Sequence, residues 1–347
     1  MKLIYVFALI LLATSIQSQA WMWARGNMHT HTTNSDGDSA PQAVADWYKA
    51  NGYQFLVISD HERLTDPAPL DVPNGGFVLI PGQEISVKNQ GDKPIHGVAV
   101  GISTTFPQPD GSATQAKTLQ NLVHGIRTAG GIPIVCHPNW CWAFGHRELL
   151  GIREPYILEI ANMGSGCNNE GSPSFLSLEQ TWDILLSEGK EVYAAATDDA
   201  HALGTDHPDG SGKGWVVARV PELTRKAIVE ALSKGDFYAS TGVELADYHC
   251  DGKVFHTEAK AGKSYLIQFI GKWGHILQET EGSSAAYRPT GKESYVRSKV
   301  IADDGTVAWT QAYRISTALP SARKSRYSRH RSMPGSMVSV HPPLKGG

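Results

Sequence analysis

Short apolar runs alternate with helical segments along residues 24–220, and this alternation restricts the fold more than any other feature of the chain. Most runs are aliphatic and lack clean polar alternation, which is typical of strands buried on both faces of a sheet. Strand–helix repeats joined by short turns predict a parallel α/β sheet, either open or closed into a barrel. The predicted strands are Gln54–Ser59, Phe77–Pro81, His96–Ile102, Ile132–Cys136, Ile157–Ala161 and Val192–Thr197.

Helix signals lie between these runs. Ser39 can cap a helix that has Pro41 in its first turn and stops at Asn51-Gly52. Segments 117–128 and 177–188 carry apolar residues at helical spacing and end at glycines. After about residue 221 the pattern changes to one last helix followed by short strand-like pieces with glycine turns. That helix spans 224–234, and the pieces span 237–240, 264–270, 294–301 and 306–312.

The first twenty residues predict a signal peptide. A short positive region at Lys2 precedes an apolar stretch and the small-x-small site Ser18-Gln19-Ala20. A membrane anchor is the alternative, but the apolar run is shorter than the ~20 residues that span a bilayer. We therefore expect an exported chain, periplasmic or extracellular, that begins near Trp21 and has no integral membrane segment after cleavage.

Composition divides the remaining chain. We expect a barrel domain over residues 21–240, a small β-rich region over 241–316 and a basic disordered tail over 317–347. The tail from Ser321 onward carries a charge of +6, but the whole chain has a net charge of only −3. That balance gives no argument for a nucleic-acid or membrane partner. Cys136 and Cys141 bracket a short loop, so they can form a disulfide, or Cys136 can be a small core side chain.

Polar residues follow several of the predicted strands directly. Asp60-His61, Glu84, His137 and Asp198-Asp199 each lie just past the C-terminal end of an apolar run. In a (β/α) barrel this rim carries the active site, so these positions favour a barrel over an open sheet. His96 opens its run instead of closing it and has less positional support.

Two x-spaced pairs strengthen the pattern. His29-Thr30-His31 places two imidazoles on the same side of an extended segment, and Asp199-Ala200-His201 repeats the spacing. A turn can bring Asp36 back towards the first pair. The candidate metal ligands are His29, His31, Asp36, His61, Glu84, His96, His137, Asp199 and His201.

Mixed imidazole and carboxylate ligands suit Zn, Mn or Fe. Nine candidates exceed the needs of one ion, so about two or three divalent ions are expected, with Glu84 long enough to bridge two of them. A bridging hydroxide would then attack the substrate. Asp198 competes with Asp199 as a ligand, and Asp60 can instead hold a histidine from behind.

The motifs GNMHTHTTNSDGDS, FLVISDHE, PGQEIS, IHGVAVG, VCHPNW and TDDAH, followed by GWVVARV and FYASTGVEL, resemble the polymerase-and-histidinol-phosphatase (PHP) family over residues 26 to about 240. The resemblance implies a distorted (β/α)7 barrel, up to three metals at its rim and hydrolysis of phosphate esters. It also implies the nine ligands named above. We expect His31, Glu84 and Asp199 to carry catalysis.

The substrate is predicted only by class. We expect a small phosphorylated compound, with a nucleotide or oligonucleotide as one form, and Trp140 and Trp142 could either stack a base or serve packing. A metal-dependent amide or lactone hydrolase and a non-catalytic binding module remain as alternatives, and several Arg or Lys side chains around the site would favour phosphate. The candidate phosphate contacts are Arg63, His146 and Arg147, with Arg25 and Lys213 as further cations.

Overall fold

The computed structural model describes residues 21–70, 76–89 and 91–315. The predicted signal peptide (1–20) and the predicted disordered tail (317–347) lie outside the described residues. Among the described residues, none of the helices combines the length and apolarity needed to cross a membrane.

The first two-thirds of the chain alternates strands and helices, and all six predicted strands and the four predicted helices are present. The strand predicted to end at Pro81 continues to Lys88, so Glu84 lies inside it and not past its end as expected. The sequence pattern missed the first strand, the strand after residue 214 and a short helix that contains His146 and Arg147. The cap predicted at Ser39 is wrong by one position, because Ala40 holds the N-cap. In chain order the elements are β1 (Met22–Asn27), α1 (Pro41–Ala50), β2 (Phe55–Ile58), β3 (Val78–Lys88), β4 (Pro94–Val100), α2 (Gln115–Thr128), β5 (Ile132–Val135), α3 (His146–Leu149), β6 (Tyr156–Asn162), α4 (Leu178–Ser187), β7 (Val192–Thr197), β8 (Trp215–Val220), α5 (Arg225–Lys234) and β9 (Phe237–Ser240).

The main sheet is mixed. Hydrogen-bonded neighbours follow the order β8-β1-β2-β3-β4-β5-β6-β7, with parallel pairing between β1 and β2, β2 and β3, β5 and β6, and β6 and β7. β4 is antiparallel to both neighbours, and β8 is antiparallel to β1. The expectation of a parallel sheet is therefore wrong for β4 and β8. The connection from Lys88 to Pro94 is too short for a crossover helix, so β4 can only return antiparallel to β3.

Side chains from strands that are not neighbours in this sheet pack into one core. One buried apolar cluster takes side chains from each of β1 to β8 and from α5, including Phe55, Ile134 and Ala195, which are fully buried. Just beyond the ends of β1 and β7, Thr30 and Ala200 form an isolated parallel bridge. The described ladders end at β7, so a closed seven-stranded barrel stays a prediction.

The C-terminal part is rich in strands, in agreement with the expected β-rich region, while its division from the first part as a domain stays a prediction. Its strands are β10 (Leu245–Cys250), β11 (Phe255–Ala259), β12 (Tyr265–Gly271), β13 (His275–Glu281), β14 (Ser284–Tyr287), β15 (Tyr295–Ala302), β16 (Val307–Thr310) and β17 (Tyr313–Arg314). β9 pairs with β8 and with β16, so the main sheet continues in the order β9-β16-β15-β12-β13, and a second sheet has the order β10-β11-β14.

Arg297 on β15 ties the C-terminal strands to helix α4. Its guanidinium, only 1% exposed, donates from Nε and Nη2 to Asp183 at 2.8 and 2.7 Å and from Nη2 to Glu179 at 2.8 Å. The guanidinium also lies 4.8 Å from the ring centroid of Trp182, and the Tyr295 hydroxyl donates to Asp183 at 2.8 Å. These buried contacts join β15 directly to helix α4.

Arg297→Met is expected to destabilise the fold strongly, because it leaves the Asp183 carboxylate buried without its cation. Removing one partner of a buried ion pair costs about 3–5 kcal/mol, which urea unfolding measures directly. Lys234→Met, which breaks the exposed Lys234–Glu230 pair on α5, is the matched control and should leave the unfolding midpoint unchanged. A loss under ~1 kcal/mol for Arg297→Met, the size seen for exposed pairs, would contradict this anchoring role.

Candidate metal centre

The His29-Thr30-His31 segment continues the line of β1 beyond its last residue. The backbone of His31 donates to the carbonyl of Ala200 at 2.8 Å, and the backbone of Asp199 donates to the carbonyl of His29 at 3.0 Å. This extended pairing keeps both imidazoles on one side, and both are buried with ring centroids 5.2 Å apart. The spacing argument from the sequence is therefore matched by the geometry.

The turn after this pair returns Asp36 to it. Gly37 donates its backbone N–H to Thr32 at 3.0 Å, and a Cβ at Gly37 would lie 2.7 Å from the backbone of His31, so the turn requires glycine. The carboxylate of Asp36 lies 3.4 Å from His31 Nδ1 and 3.5 Å from His61 Nε2. It also lies 3.4 Å from Nε2 of the imidazole at the end of the second pair, that of His201.

Asp60 fixes this turn. Its carboxylate accepts the backbone N–H of Thr32 at 2.7 Å, the hydroxyl of Ser35 at 3.0 Å and the hydroxyl of Thr65. Among the described residues it bonds no histidine directly, but the Ser35 hydroxyl also lies 3.5 Å from His31 Nδ1, so Asp60 acts on that ring only through the turn.

Glu84 lies at the centre of the cluster. It is 1% exposed and sits on β3 opposite His61, with which it forms a parallel bridge. Imidazole nitrogens surround its two oxygens because the ends of β1, β2, β4 and β5 meet here, with β1 followed by two of the five histidines. The distances are 3.0 Å to His29, 3.1 Å to His31, 3.4 Å to His61, 2.9 Å to His96 and 3.4 Å to His137.

The reversed direction of β4 explains His96. Because β4 runs antiparallel to β3 and β5, its N-terminal end lies at the edge where the parallel strands have their C-terminal ends. His96 therefore lies near the start of β4 and reaches Glu84 at 2.9 Å. In the sequence, the position of His96 before an apolar run gave only weak support for a role as a ligand. The antiparallel direction of β4 explains that position.

Two further site residues occupy left-handed backbone conformations. His137 has a φ of 27° and Asp199 a φ of 50°, values that are unfavourable for residues with a Cβ. This turn points Asp199 Oδ1 to within 3.2 Å of Nε2 of both His29 and His31. Asp198 faces away and accepts the Tyr48 hydroxyl at 2.7 Å and three backbone N–H groups. Of the two adjacent aspartates, Asp199 is thus the one in the cluster.

Burial and opposite charge compete at these groups, and opposite charge prevails. Burial raises the pKa of Glu84, but His29 and the hydrogen bonds of His137 lower it well below its usual value. Burial lowers the pKa of His31, but Asp199 and Glu84 raise it to about 9. Burial raises the pKa of Asp199, but His29, His31 and His137 together lower it below its usual value. The carboxylates are therefore ionised, as metal ligands must be, and a bound cation would displace protons from the imidazoles.

All nine candidate ligands of the sequence analysis fall into three overlapping groups whose donor atoms lie within 4.8 Å of one another. Glu84 belongs to two of these groups, and so does His31. Imidazole with carboxylate is a donor set for Zn, Mn or Fe, so the residues fit divalent cations. The groups are His31, Asp36, His61 and His201; His29, His31, Glu84 and Asp199; and Glu84, His96 and His137.

A cavity of about 360 Å³ opens onto the cluster. Besides candidate ligands, its walls include Trp140, Ser165, Cys167 and Asp209. The rings of His96 and His137 each lie 5.4 Å from that of Trp140. Trp142, by contrast, stacks on Phe175 at 4.6 Å, as expected of packing.

The candidate phosphate contacts lie elsewhere. Within the described part of the chain, the walls of the cavity contain no Lys or Arg, and neither Arg63 nor the α3 residues His146 and Arg147 line it. Arg25 is held over the rings of Tyr53 and Trp215 at 4.1 and 3.7 Å. The fifth cation, Lys213, donates to backbone carbonyls of the 207–208 segment. Phosphate contact by any of these residues stays a prediction.

Three side chains at the site were missed in the sequence. Glu159 and Asn162 are buried on β6 behind the cluster, and Asp209 lines the cavity. A lone Glu inside the apolar run Ile157–Ala161 was a readable signal, because a carboxylate in a buried strand needs partners. Cys136 is fully buried and Cys141 exposed, both as free thiols, which agrees with the core role for Cys136.

The fold and cluster define an α/β protein with a His/Asp/Glu centre suited to divalent metals. Among solved structures it is similar to a two-domain protein of Bacteroides vulgatus containing a predicted PHP-like metal-dependent phosphoesterase, at 15% identity and TM-score 0.47 over 84% of this chain and 96% of that one. It is also similar to an amidohydrolase of Chromobacterium violaceum, at 17% identity and TM-score 0.36 over 53% of this chain and 89% of that one.

Among curated proteins, the chain is 24% identical to a 5'-3' exoribonuclease of Haemophilus influenzae over 65% of its own length and 80% of the relative's. No family model matches the chain. The resemblance to PHP-like metal-dependent phosphoesterases that the motifs indicated is confirmed as a resemblance.

Glu84→Gln is expected to reduce the number of bound ions, because it removes the charge shared by two donor groups. The loss of affinity should exceed the roughly 10–100-fold seen for residues that only support ligands. Equilibrium dialysis against Mn²⁺ or Zn²⁺ followed by metal analysis measures it. His124→Gln, an exposed histidine on α2, is the control, and equal ion content in both variants would contradict a central role for Glu84.

Proposed function

We propose that this protein hydrolyses phosphate esters with about two or three divalent ions, Mn, Zn or Fe, held by the nine-residue cluster. The observation that carries the proposal is the sharing of Glu84 and His31 between donor groups. Shared ligands bring ions close together, as required to clamp the attacking and leaving oxygens of a phosphoryl transfer. A single-ion hydrolase needs only about three protein ligands and would leave most of this cluster without a purpose.

The chain's residues divide the work. Bound ions would supply Lewis-acid stabilisation of the phosphoryl oxygens and a water of lowered pKa. Glu84 and His31 would be shared between neighbouring ions, and Asp199 holds its position through the strained turn after β7. No Lys or Arg lines the cavity within the described residues, so bound ions would have to supply the positive charge that a phosphate needs.

We further propose that the leaving group carries a flat ring, as in a nucleotide or short oligonucleotide. Trp140 supports this, because it lines the cavity beside His96 and His137. An indole there can stack a base of any identity. The similarity to an exoribonuclease supports the same substrate class.

The same cavity supports a second candidate. The absence of Lys and Arg from its described walls favours hydrolysis of a neutral amide or lactone, since a metal-activated water also attacks carbonyl carbon. This candidate keeps every ligand and changes only the bond that is cleaved.

Two further expectations belong to the proposal. We propose a distorted (β/α)7 barrel, supported by the Thr30–Ala200 bridge and by the core shared among β1 to β8. We also propose export through cleavage after Ala20, supported by the sequence of the first twenty residues. Mass spectrometry of the secreted protein tests the second point, and a chain that retains residues 1–20 would contradict it.

Turnover of a phosphomonoester, a phosphodiester, a lactone and an amide by protein loaded with Mn²⁺ or Zn²⁺ tests the function. We expect phosphate release that is abolished by chelation and reduced by about 100-fold or more in His31→Ala, because an ion loses its shared ligand. His275→Ala, far along the chain on β13, should match the wild type. Lactone or amide turnover without phosphate release would contradict the first candidate and support the second.

Trp140→Ala is expected to lower kcat/KM only for substrates that carry a base. Loss of one stacked base costs ~1–3 kcal/mol, so kcat/KM for a nucleotide should fall by about 5–150-fold, while that for methyl phosphate stays level. Trp142→Ala is the matched control, since its ring is already stacked on Phe175. An equal fall for both substrates in Trp140→Ala would contradict base stacking.

A further inference from the structure

Glu159 on β6 is a carboxylate buried directly behind the candidate metal centre. Its side chain is fully buried, and its neighbours along the strand are the apolar Leu158 and Ile160. Burial of a carboxylate is unfavourable unless hydrogen-bond donors or cations compensate it. The partners of Glu159 therefore indicate what it does.

Each oxygen of Glu159 accepts two hydrogen bonds. Oε1 accepts from the Thr197 hydroxyl at 2.8 Å and from His29 Nδ1 at 2.7 Å. Oε2 accepts from Asn162 Nδ2 at 2.8 Å and from the backbone N–H of His137 at 2.9 Å. A carboxylate offers about four lone-pair positions, and here all are taken. Glu159 thus has no position left for an ion, although its oxygen lies within 4.8 Å of donor atoms of His29 and Cys136.

The bond to Glu159 fixes His29. An ionised carboxylate only accepts, so His29 Nδ1 must carry a proton on that side. Nε2 is then the nitrogen that faces the cluster, 3.0 Å from Glu84 and 3.2 Å from Asp199. Carboxylates behind metal-binding histidines set the tautomer and the ring orientation in this way.

Asn162 extends the same support to Asp199. Its Nδ2 donates to Asp199 Oδ2 at 3.0 Å as well as to Glu159, which leaves Asp199 Oδ1 facing His29 and His31. Its Oδ1 accepts from the backbone of Gly164 at 2.9 Å, a residue of the cavity wall. The amide therefore cannot rotate freely.

We propose that Glu159, together with Asn162, is a positioning residue that aims His29 Nε2 and Asp199 Oδ1 at the ions and is not itself a ligand. This inference rests on the metal centre of the proposed function. It does not depend on which ester or amide the centre cleaves.

Glu159→Gln tests the proposal by changing hydrogen bonding at nearly constant shape. A Gln amide has one oxygen that accepts and one NH2 group that donates. Two of the four groups that donate to Glu159 would therefore face N–H groups in the variant and lose their acceptor. We expect Mn²⁺ to bind about 10–100-fold more weakly by calorimetry, with the same number of ions at saturation. Turnover should return towards the wild-type kcat when Mn²⁺ is saturating, with the substrate KM unchanged.

Asp198→Asn is the matched control, because Asp198 is also a buried carboxylate with four hydrogen-bond donors, yet none comes from a candidate ligand. It should lower the free energy of unfolding and leave the affinity for Mn²⁺ unchanged. Thr197→Val, which removes one donor to Glu159 Oε1, should weaken Mn²⁺ binding by a smaller factor and decides the question if Glu159→Gln does not fold.

Three results would overturn the positioning role. These are an unchanged Mn²⁺ affinity in Glu159→Gln and Thr197→Val, one ion fewer at saturation in Glu159→Gln, or an equal loss of affinity in Asp198→Asn. The second of these would make Glu159 a ligand. Wild-type protein that binds Mn²⁺ without any hydrolysis would refute the proposed function, and the affinity comparison would still decide the role of Glu159.

Discussion

A carboxylate as deeply buried as Glu84 is tolerated only when hydrogen-bond donors or positive charges surround it. Five imidazoles within 3.4 Å supply that environment, and most of the surrounding structure serves to hold their rings in place. Asp60 fixes the turn that carries Asp36, and Glu159 fixes His29 from behind. The result is a network of ionised carboxylates and imidazoles, and these are the side chains that make up a metal centre.

The sheet explains why these groups meet at one edge. Parallel strands deliver His29, His61 and His137 at their C-terminal ends, and the reversed β4 delivers His96 at its N-terminal end. The left-handed backbone at His137 and at Asp199 turns these side chains inward. Strain of order 1–3 kcal/mol at such positions persists only where the surrounding fold imposes it, and here the imposed geometry converges on Glu84.

The sequence predicted the strands and the nine-residue cluster well because both follow from local rules. Aliphatic runs mark buried strands, and x-spaced pairs such as His29 with His31 follow from the period of two. The direction of β4 was mispredicted, because an apolar run carries no sign of direction until the short link before Pro94 is considered. Glu159 was missed because its role depends on donors from β5 and β7 that are remote in the chain. Phosphate contact by Arg63 and Arg147 stays a prediction, because both follow site motifs in the sequence but are exposed and do not line the cavity.

Anomalous X-ray scattering from crystals grown with Mn²⁺ or Zn²⁺ tests whether the cluster around Glu84 holds metal, because it locates ions independently of any assay. We expect at least two peaks, about 3.5–4 Å apart, with a carboxylate oxygen of Glu84 between them. We also expect His29 Nε2, and not Glu159, in contact with one peak. A cluster that shows no anomalous peak at saturating metal, with its imidazoles still gathered around Glu84, would contradict a metal centre and leave a network of charges without a metal.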